Sequence, residues 1–252
     1  MVKAADKVVK VDAAGLTFKE LNARLREVVD SGATRLELHN VCGQRYIGTD
    51  LGGDIRIDIY GTPGNDLGAF MNGPRIEVHG NAQDGLGNTM DSGEIVVHGR
   101  GGDILGMSAR GGKIFVRDDV GYRCCIHMKE YGDKKPTVVI GGTAQDFLAE
   151  YMAGGVLVLL GLTLKEGEAH QANFIGTGMH GGVIYIRGKV ADYQLGREVG
   201  VAELDEEDEG QLRGAVAEFA ACFGFDPERI LGHRFTKLYP RWLRPYGRLY
   251  AY

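Results

Sequence analysis

Through the middle of the chain, pairs of aliphatic residues are split by a single intervening residue, and one or two glycines precede nearly every pair. The pairs are Ile57/Ile59, Ile76/Val78, Ile95/Val97, Ile114/Val116, Leu157/Leu159 and Ile184/Ile186. A two-residue period predicts strands with one buried face. The pairs sit in copies of one sequence: LGAFMNGPRIEVHG from Leu67, LGNTMDSGEIVVHG from Leu86 and LGMSARGGKIFVRD from Leu105. An earlier copy starts at Ile47, and later ones at Glu150 and Ile175. The apolar anchor before each glycine corner falls at Leu51, Met71, Met90 and Ala109, with steps of 20, 19 and 19 residues. The next anchor, Met152, lies 43 residues on, which predicts a degenerate copy between them with its strand in residues 135–142. The step of 27 to Met179 predicts an insertion.

A period near 20 admits a leucine-rich repeat or a parallel β-helix. The copies lack the Leu-rich, Asn-containing pattern, and glycine just before the strands disfavours helix by about 1 kcal/mol per residue. The expected fold is therefore mainly β: a single-stranded right-handed parallel β-helix of about seven coils, with an N-terminal capping helix and strand and a C-terminal helical extension. The corresponding segments are 1–45, an α/β cap; 46–190, the β-helix; and 191–252, a helical and basic/aromatic extension. Glycine, 40 of 252 residues, serves the corners, where positive φ or close backbone approach is needed. The structural corner positions are Gly52, Gly53, Gly73, Gly93, Gly111, Gly112, Gly154, Gly155, Gly181 and Gly182.

If each aliphatic pair points inward, the residue between points outward. That column reads Asp58, Glu77, Val96, Phe115, Val139, Val158 and Tyr185. The first two present carboxylates to water. Val96, Phe115, Val139, Val158 and Tyr185 form an apolar stripe that needs a cover, either the C-terminal segment or a partner, and they are the candidate partner surface. The next outward column, Tyr60, His79, His98 and Arg117, is spaced by 19 residues. Two stacked histidines need further ligands to hold a metal, and none lies in that column, so it reads as a solvated or interface ladder. Open solenoid ends need covering. Thr17-Phe-Lys-Glu20 is a capping box opening a helix with Leu21, Leu25, Val28 and Val29 on one face. Downstream, the acidic run from Glu203 to Glu209 precedes a second helical pattern, Leu212, Val216, Phe219 and Ala220, and reads as a solvated first turn.

A net charge of −5 argues against nucleic acid as the main partner. The one basic and aromatic stretch, Arg229 to Tyr252, has a composition that can bind single strands but reads as a protein interface in preference, and no nucleic-acid partner is expected. No apolar run is long enough for a membrane span, and no signal peptide is visible, so a cytoplasmic location is expected. The four cysteines lack metal or disulfide spacing. The adjacent Cys124-Cys125 reads as small buried residues more readily than as a redox switch. Nucleophile elbow, phosphate loop, zinc spacing and dinucleotide fingerprint are all absent; the GxG pieces lead into strands, not helices. Asp118-Asp119 and Asp91 with Glu94 read as solvated turn residues. A hydrolase built on Ser92 or Ser108 would need a base beside the hydroxyl. No catalytic, cofactor-binding or metal-binding residue is assigned to this chain.

The repeats, above all YMAGGVLVLLG at Tyr151 followed by IGTGMHGGVIYIRG, resemble the GXGXG domain that ends the large subunit of glutamate synthase. The likeness runs from about Ile55 through LDEEDEG to RFTKLYPRW. It implies a β-helix without catalytic residues, acting as a free-standing scaffold subunit. The implied partners are a glutamine amidotransferase subunit and an FMN-binding glutamate synthase subunit, with FMN and an iron–sulfur cluster held on those chains. The complex would aminate 2-oxoglutarate or a related acceptor. One of the chains of formylmethanofuran dehydrogenase is similar to this family and has the same repeat, so a scaffold of that kind is the alternative; the acidic helix and RFTKLYPRW favour glutamate synthase.

Overall fold

The computed structural model describes residues 8–242. Its strands are β1 (Val8–Asp12), β2 (Arg35–Cys42), β3 (Arg56–Thr62), β4 (Asn72–Val78), β5 (Ser92–Val97), β6 (Lys113–Val116), β7 (Thr137–Ile140), β8 (Ala153–Leu159), β9 (Gly181–Arg187), β10 (Val199–Ala202) and β11 (Phe235–Pro240). From β1 to β9 each strand pairs in parallel with the next, so the chain climbs one sheet in sequence order. The result is a mainly β parallel solenoid of about six turns. Its helices are α1 (Phe18–Asp30), α2 (Glu206–Phe223) and the short α3 (Pro227–Leu231).

The inward pairs stack in register. Ile57, Ile76, Ile95, Ile114, Val138, Leu157 and Ile184 are consecutive partners across seven strands, and all are buried. Their neighbours two residues on, from Ile59 to Ile186, stack the same way and fill the interior with aliphatic side chains. The anchors Met71, Met90, Ala109, Met152 and Met179 are buried corner filler in the same cluster. The copy sought between Ala109 and Met152 has its own anchor, Met128, one 19-residue step on. The extra residues follow Met128, in a small turn that pairs Tyr131 with Lys134.

Cys124 and Cys125 occupy the Leu and Gly positions of this copy, corresponding to Leu105-Gly106. Both are fully buried, and Cys125 takes the glycine's left-handed backbone at φ 61°. Burial pushes the Cys124 thiol up to about 12 and raises Cys125 as well. A thiolate is the reactive form, so this pair packs rather than reacts.

At the start of the chain, β1 and β2 belong to the same sheet as the repeats, with β2 paired in parallel to β3. The Thr17 hydroxyl accepts from Glu20 N–H, and the Glu20 carboxylate accepts from Thr17 N–H. Leu21 and Leu25 enter the main core. At the other end β11 pairs antiparallel with β9 and then with β10. Part of the basic and aromatic stretch is thus a strand of the sheet; Arg244, Tyr246, Arg248 and Tyr250 lie outside the described residues. No helix among the described residues is long and apolar enough to cross a membrane.

Candidate functional site

The outward stripe proposed as a partner surface is covered from within. Val96, Phe115, Val139, Val158 and Tyr185 are all buried, in one cluster with Leu212, Val216 and Phe219 of α2 and with Ile230 and Phe235. The physical reason is the match of two apolar stripes: α2 carries apolar residues at helical spacing, and the sheet turns apolar where α2 lies. The assignment of these five residues to a partner is therefore corrected, and the C-terminal segment is their cover. Asp205 caps α2 by accepting from Asp208 N–H. Asp208 is itself buried, not solvated: it accepts from the Tyr185 hydroxyl at 2.7 Å and from Lys237 at 2.5 Å. Burial opposes the charge on Asp208, but Lys237, the Asp205 N–H and Tyr185 outweigh it and hold the carboxyl below its usual range.

On the earlier coils the outward face is polar and interlocked. Arg56 donates to Asp58 and to Glu77, both at 2.9 Å, and Arg75 pairs with Glu94 and reaches Glu77. Asp58 was expected to face water, but it is buried under this lattice. Burial opposes its charge, and hydrogen bonds from Arg56 and His79 lower its pKa overall. Beside the lattice His39, Tyr60, His79 and His98 stack face to face at centroid separations of 4.8, 4.5 and 5.3 Å, and Phe223 of α2 ends the stack edge-on. Glu77, His79 and His98 bring three ligand atoms within 4.8 Å of one another, a grouping that the sequence columns did not show. The two imidazole planes are 20° apart, with His79 Nε2 3.2 Å from Asp58 and His98 Nε2 2.9 Å from Glu77. With Glu77 already accepting from Arg56 and sitting 2.9 Å from His98 Nε2, the cluster is an ion-pair and stacking lattice.

The corner carboxylates also work structurally. Asp84, Asp103 and Asp119 each accept a backbone N–H from the following coil, at Asp103, Tyr122 and Thr143 respectively. Asp119 additionally accepts from the Thr163 hydroxyl at 2.6 Å. Burial opposes its charge, yet these bonds lower its pKa overall. The reading of Asp119 as a solvated turn residue is thereby corrected.

All but one of the ten glycine corners divide into two kinds; Gly52 fits neither, since it lacks positive φ and a Cβ there would meet only the Asn72 carbonyl oxygen at an ordinary 3.6 Å. Gly53, Gly73, Gly93, Gly112, Gly155 and Gly182 take positive φ. Gly111, Gly154 and Gly181 do not, but a Cβ there would press into backbone of the preceding coil.

A second corner places non-glycine residues in the left-handed region. Asp50, Phe70, Thr89, Ser108, His127 and Tyr151, on successive coils, all have φ between 53° and 57°. Each costs on the order of 1–2 kcal/mol relative to right-handed backbone. Their N–H groups bond the next coil, as Thr89 does to Met107 and Ser108 to Ile126, so the corner itself belongs to the solenoid. Between Phe70 and Tyr151 the small side chains of Thr89 and Ser108 leave a trough of about 440 Å³, walled by Arg110, Lys129 and Tyr131. Ser108 lies one coil from His127, but the imidazole stacks on Tyr151, with centroids 5.4 Å apart and planes within 8°, which is not a base oriented on the serine. Ser92 donates to Asn72. The trough was not among the sequence candidates; aromatic residues at glycine-type corner positions were the signal available.

The GXGXG motif family matches residues 19–244, from within α1 through β2–β9 and α2 to β11, with β1 ahead of the match. An uncharacterized protein of Methanocaldococcus jannaschii is 45% identical over 258 aligned positions, covering 99% of this chain and 98% of the relative. With the solenoid formed by the glycine-cornered repeats and the match running across nearly the whole chain, the chain belongs to the GXGXG motif family.

Proposed function

We propose that the chain is a non-catalytic scaffold subunit of a split glutamate synthase-like complex. It bridges a glutamine amidotransferase subunit and an FMN-binding synthase subunit, and FMN and an iron–sulfur cluster reside on those partners. The observation that carries this reading is the family match over residues 19–244, a domain that serves as an interdomain support where it ends the glutamate synthase large subunit. The packed aliphatic interior agrees with it, since a core filled coil by coil offers surfaces to other chains and not an internal cavity. Hydrolysis of glutamine and amination of 2-oxoglutarate or a related acceptor then take place on the neighbouring chains.

The test is purification of the tagged chain from its own cells under gentle conditions, followed by mass spectrometry and a visible spectrum. Co-purification of an amidotransferase and a flavin chain is expected, with the colour leaving this chain when the complex is dissociated. A chain that elutes alone contradicts the reading. Molybdenum or tungsten proteins in place of the flavin chain assign the scaffold to a formylmethanofuran dehydrogenase-like complex.

A further inference from the structure

Among the described residues two buried side-chain nitrogens have no hydrogen-bond partner, Arg75 Nε and His170 Nδ1. The first belongs to a guanidinium already paired with Glu94. The second belongs to an imidazole that is only 4% exposed, in the inserted segment 161–174 that lengthens the step to Met179. His170 Nε2 lies 3.2 Å from the Arg187 carbonyl. A carbonyl only accepts, so the imidazole that fits here is the neutral one, with its proton on Nε2 and a bare Nδ1.

The charged imidazole does not fit. It would carry a second N–H at Nδ1, where no acceptor stands, and a buried donor left unpaired is costly. Burial lowers the pKa of His170; the bond to the Arg187 carbonyl opposes this, and the Arg187 guanidinium of β9, the charged group that acts on the ring, lowers it further. No carboxylate offsets Arg187, whose own pKa is moved by burial alone, downward. The same surroundings hold the segment in place. Arg187 donates to the Gly161 carbonyl at 3.0 Å, and Gln194 donates to the carbonyls of His170 and Ala172 at 2.8 and 2.9 Å. Thr163 donates to Asp119, whose carboxyl is held below its usual range and so stays charged in mild acid.

We infer that His170 is an acid-sensitive latch on segment 161–174: a proton taken from solvent at Nδ1 sets an unpaired N–H and a second positive charge beside Arg187, and the segment opens while the solenoid stays folded. Acid thereby changes the surface that the last coils present. Because the folded form is neutral, the latch contributes in full above about pH 6.5, the ordinary value for histidine. It weakens as pH falls through that value toward the lower folded one. The loss cannot exceed the free energy that closes the segment, so it is read locally and not in the melting of the whole chain.

Hydrogen exchange on the whole chain tests this, with protection compared at about pH 7.5 and about pH 5 after allowance for intrinsic rates. Protection of 161–174 should drop severalfold at the lower pH, and that of β3–β8 should not. His170→Gln keeps an N–H donor and cannot gain the charge, so its protection should be equal at both. Nitrogen NMR of the parent chain needs no variant: His170 should hold its proton on Nε2 at neutral pH, and its titration should coincide with the opening. Equal protection of the parent segment at both pH values overturns the latch, as does opening that departs from the titration of His170. A drop of the same size in His170→Gln also overturns it and assigns the effect to Glu168, whose carboxylate accepts from Lys165 N–H within the segment.

Discussion

Gly112 and Gly132 both hold left-handed backbone, at φ 77° and 63°, but only one of them is crowded. A Cβ on Gly112 would meet the Met90 side chain and lie 2.8 Å from the Gly93 carbonyl of the preceding coil; at Gly132 nothing lies within 4 Å. Gly132→Ala should therefore cost about 1 kcal/mol, the conformational penalty alone. Gly112→Ala should cost more, about 2–4 kcal/mol, because a coil has to shift as well. Chemical denaturation of the two variants separates these contributions; equal losses would show that stacking does not crowd the corner. At this scale the inward Ile and Val positions were readable, because a two-residue period leaves one assignment of faces. Asp119 was not readable: one of its partners, Thr163, lies 44 residues on, two coils up the solenoid, and no local pattern marks it.

α2 illustrates what an amphipathic pattern leaves open. Leu212, Val216 and Phe219 predicted a buried face, and the stripe around Phe115 predicted a cover, yet nothing in either segment names the other as its mate. The structure joins them, so Phe115→Asp should now destabilise the isolated chain. The buried ring is worth about 3–5 kcal/mol against alanine, and an unpaired charge adds to that loss. A variant that melts like the parent but fails to assemble would place the stripe back at a partner interface. Acid should act on the same element. Asp208 has a folded pKa below its unfolded value of about 3.9. Its contribution is therefore present above that value and is lost as pH falls through the folded pKa. Asp58 and Asp119 shift in the same direction. Melting temperature should hold steady down to about pH 4 and then fall. Asp208→Asn should lower it at neutral pH and flatten the acid decline; an unchanged acid slope would mean that the link from α2 to Lys237 contributes nothing.

At the scale of the whole molecule, the repeat made the solenoid legible because every coil satisfies the same geometric demands, and errors fell where a copy departs from the pattern. Met128 escaped notice because two cysteines replace the Leu-Gly pair that marks its copy. The outer surface was less legible. Which residues stay exposed depends on what the C-terminal segment covers, and that is a property of the closed chain. What remains outside among the described residues includes the polar lattice on the first coils and the trough lined by Phe70, Ser108 and Tyr151. The measurement that tests the scaffold reading most directly is reconstitution of the complex with and without this subunit. Without it, glutamine hydrolysis and the flavin half-reaction should each persist on their own chains, glutamine-dependent amination should be lost, and adding the subunit back should restore it. Undiminished coupled turnover in its absence would contradict the scaffold account.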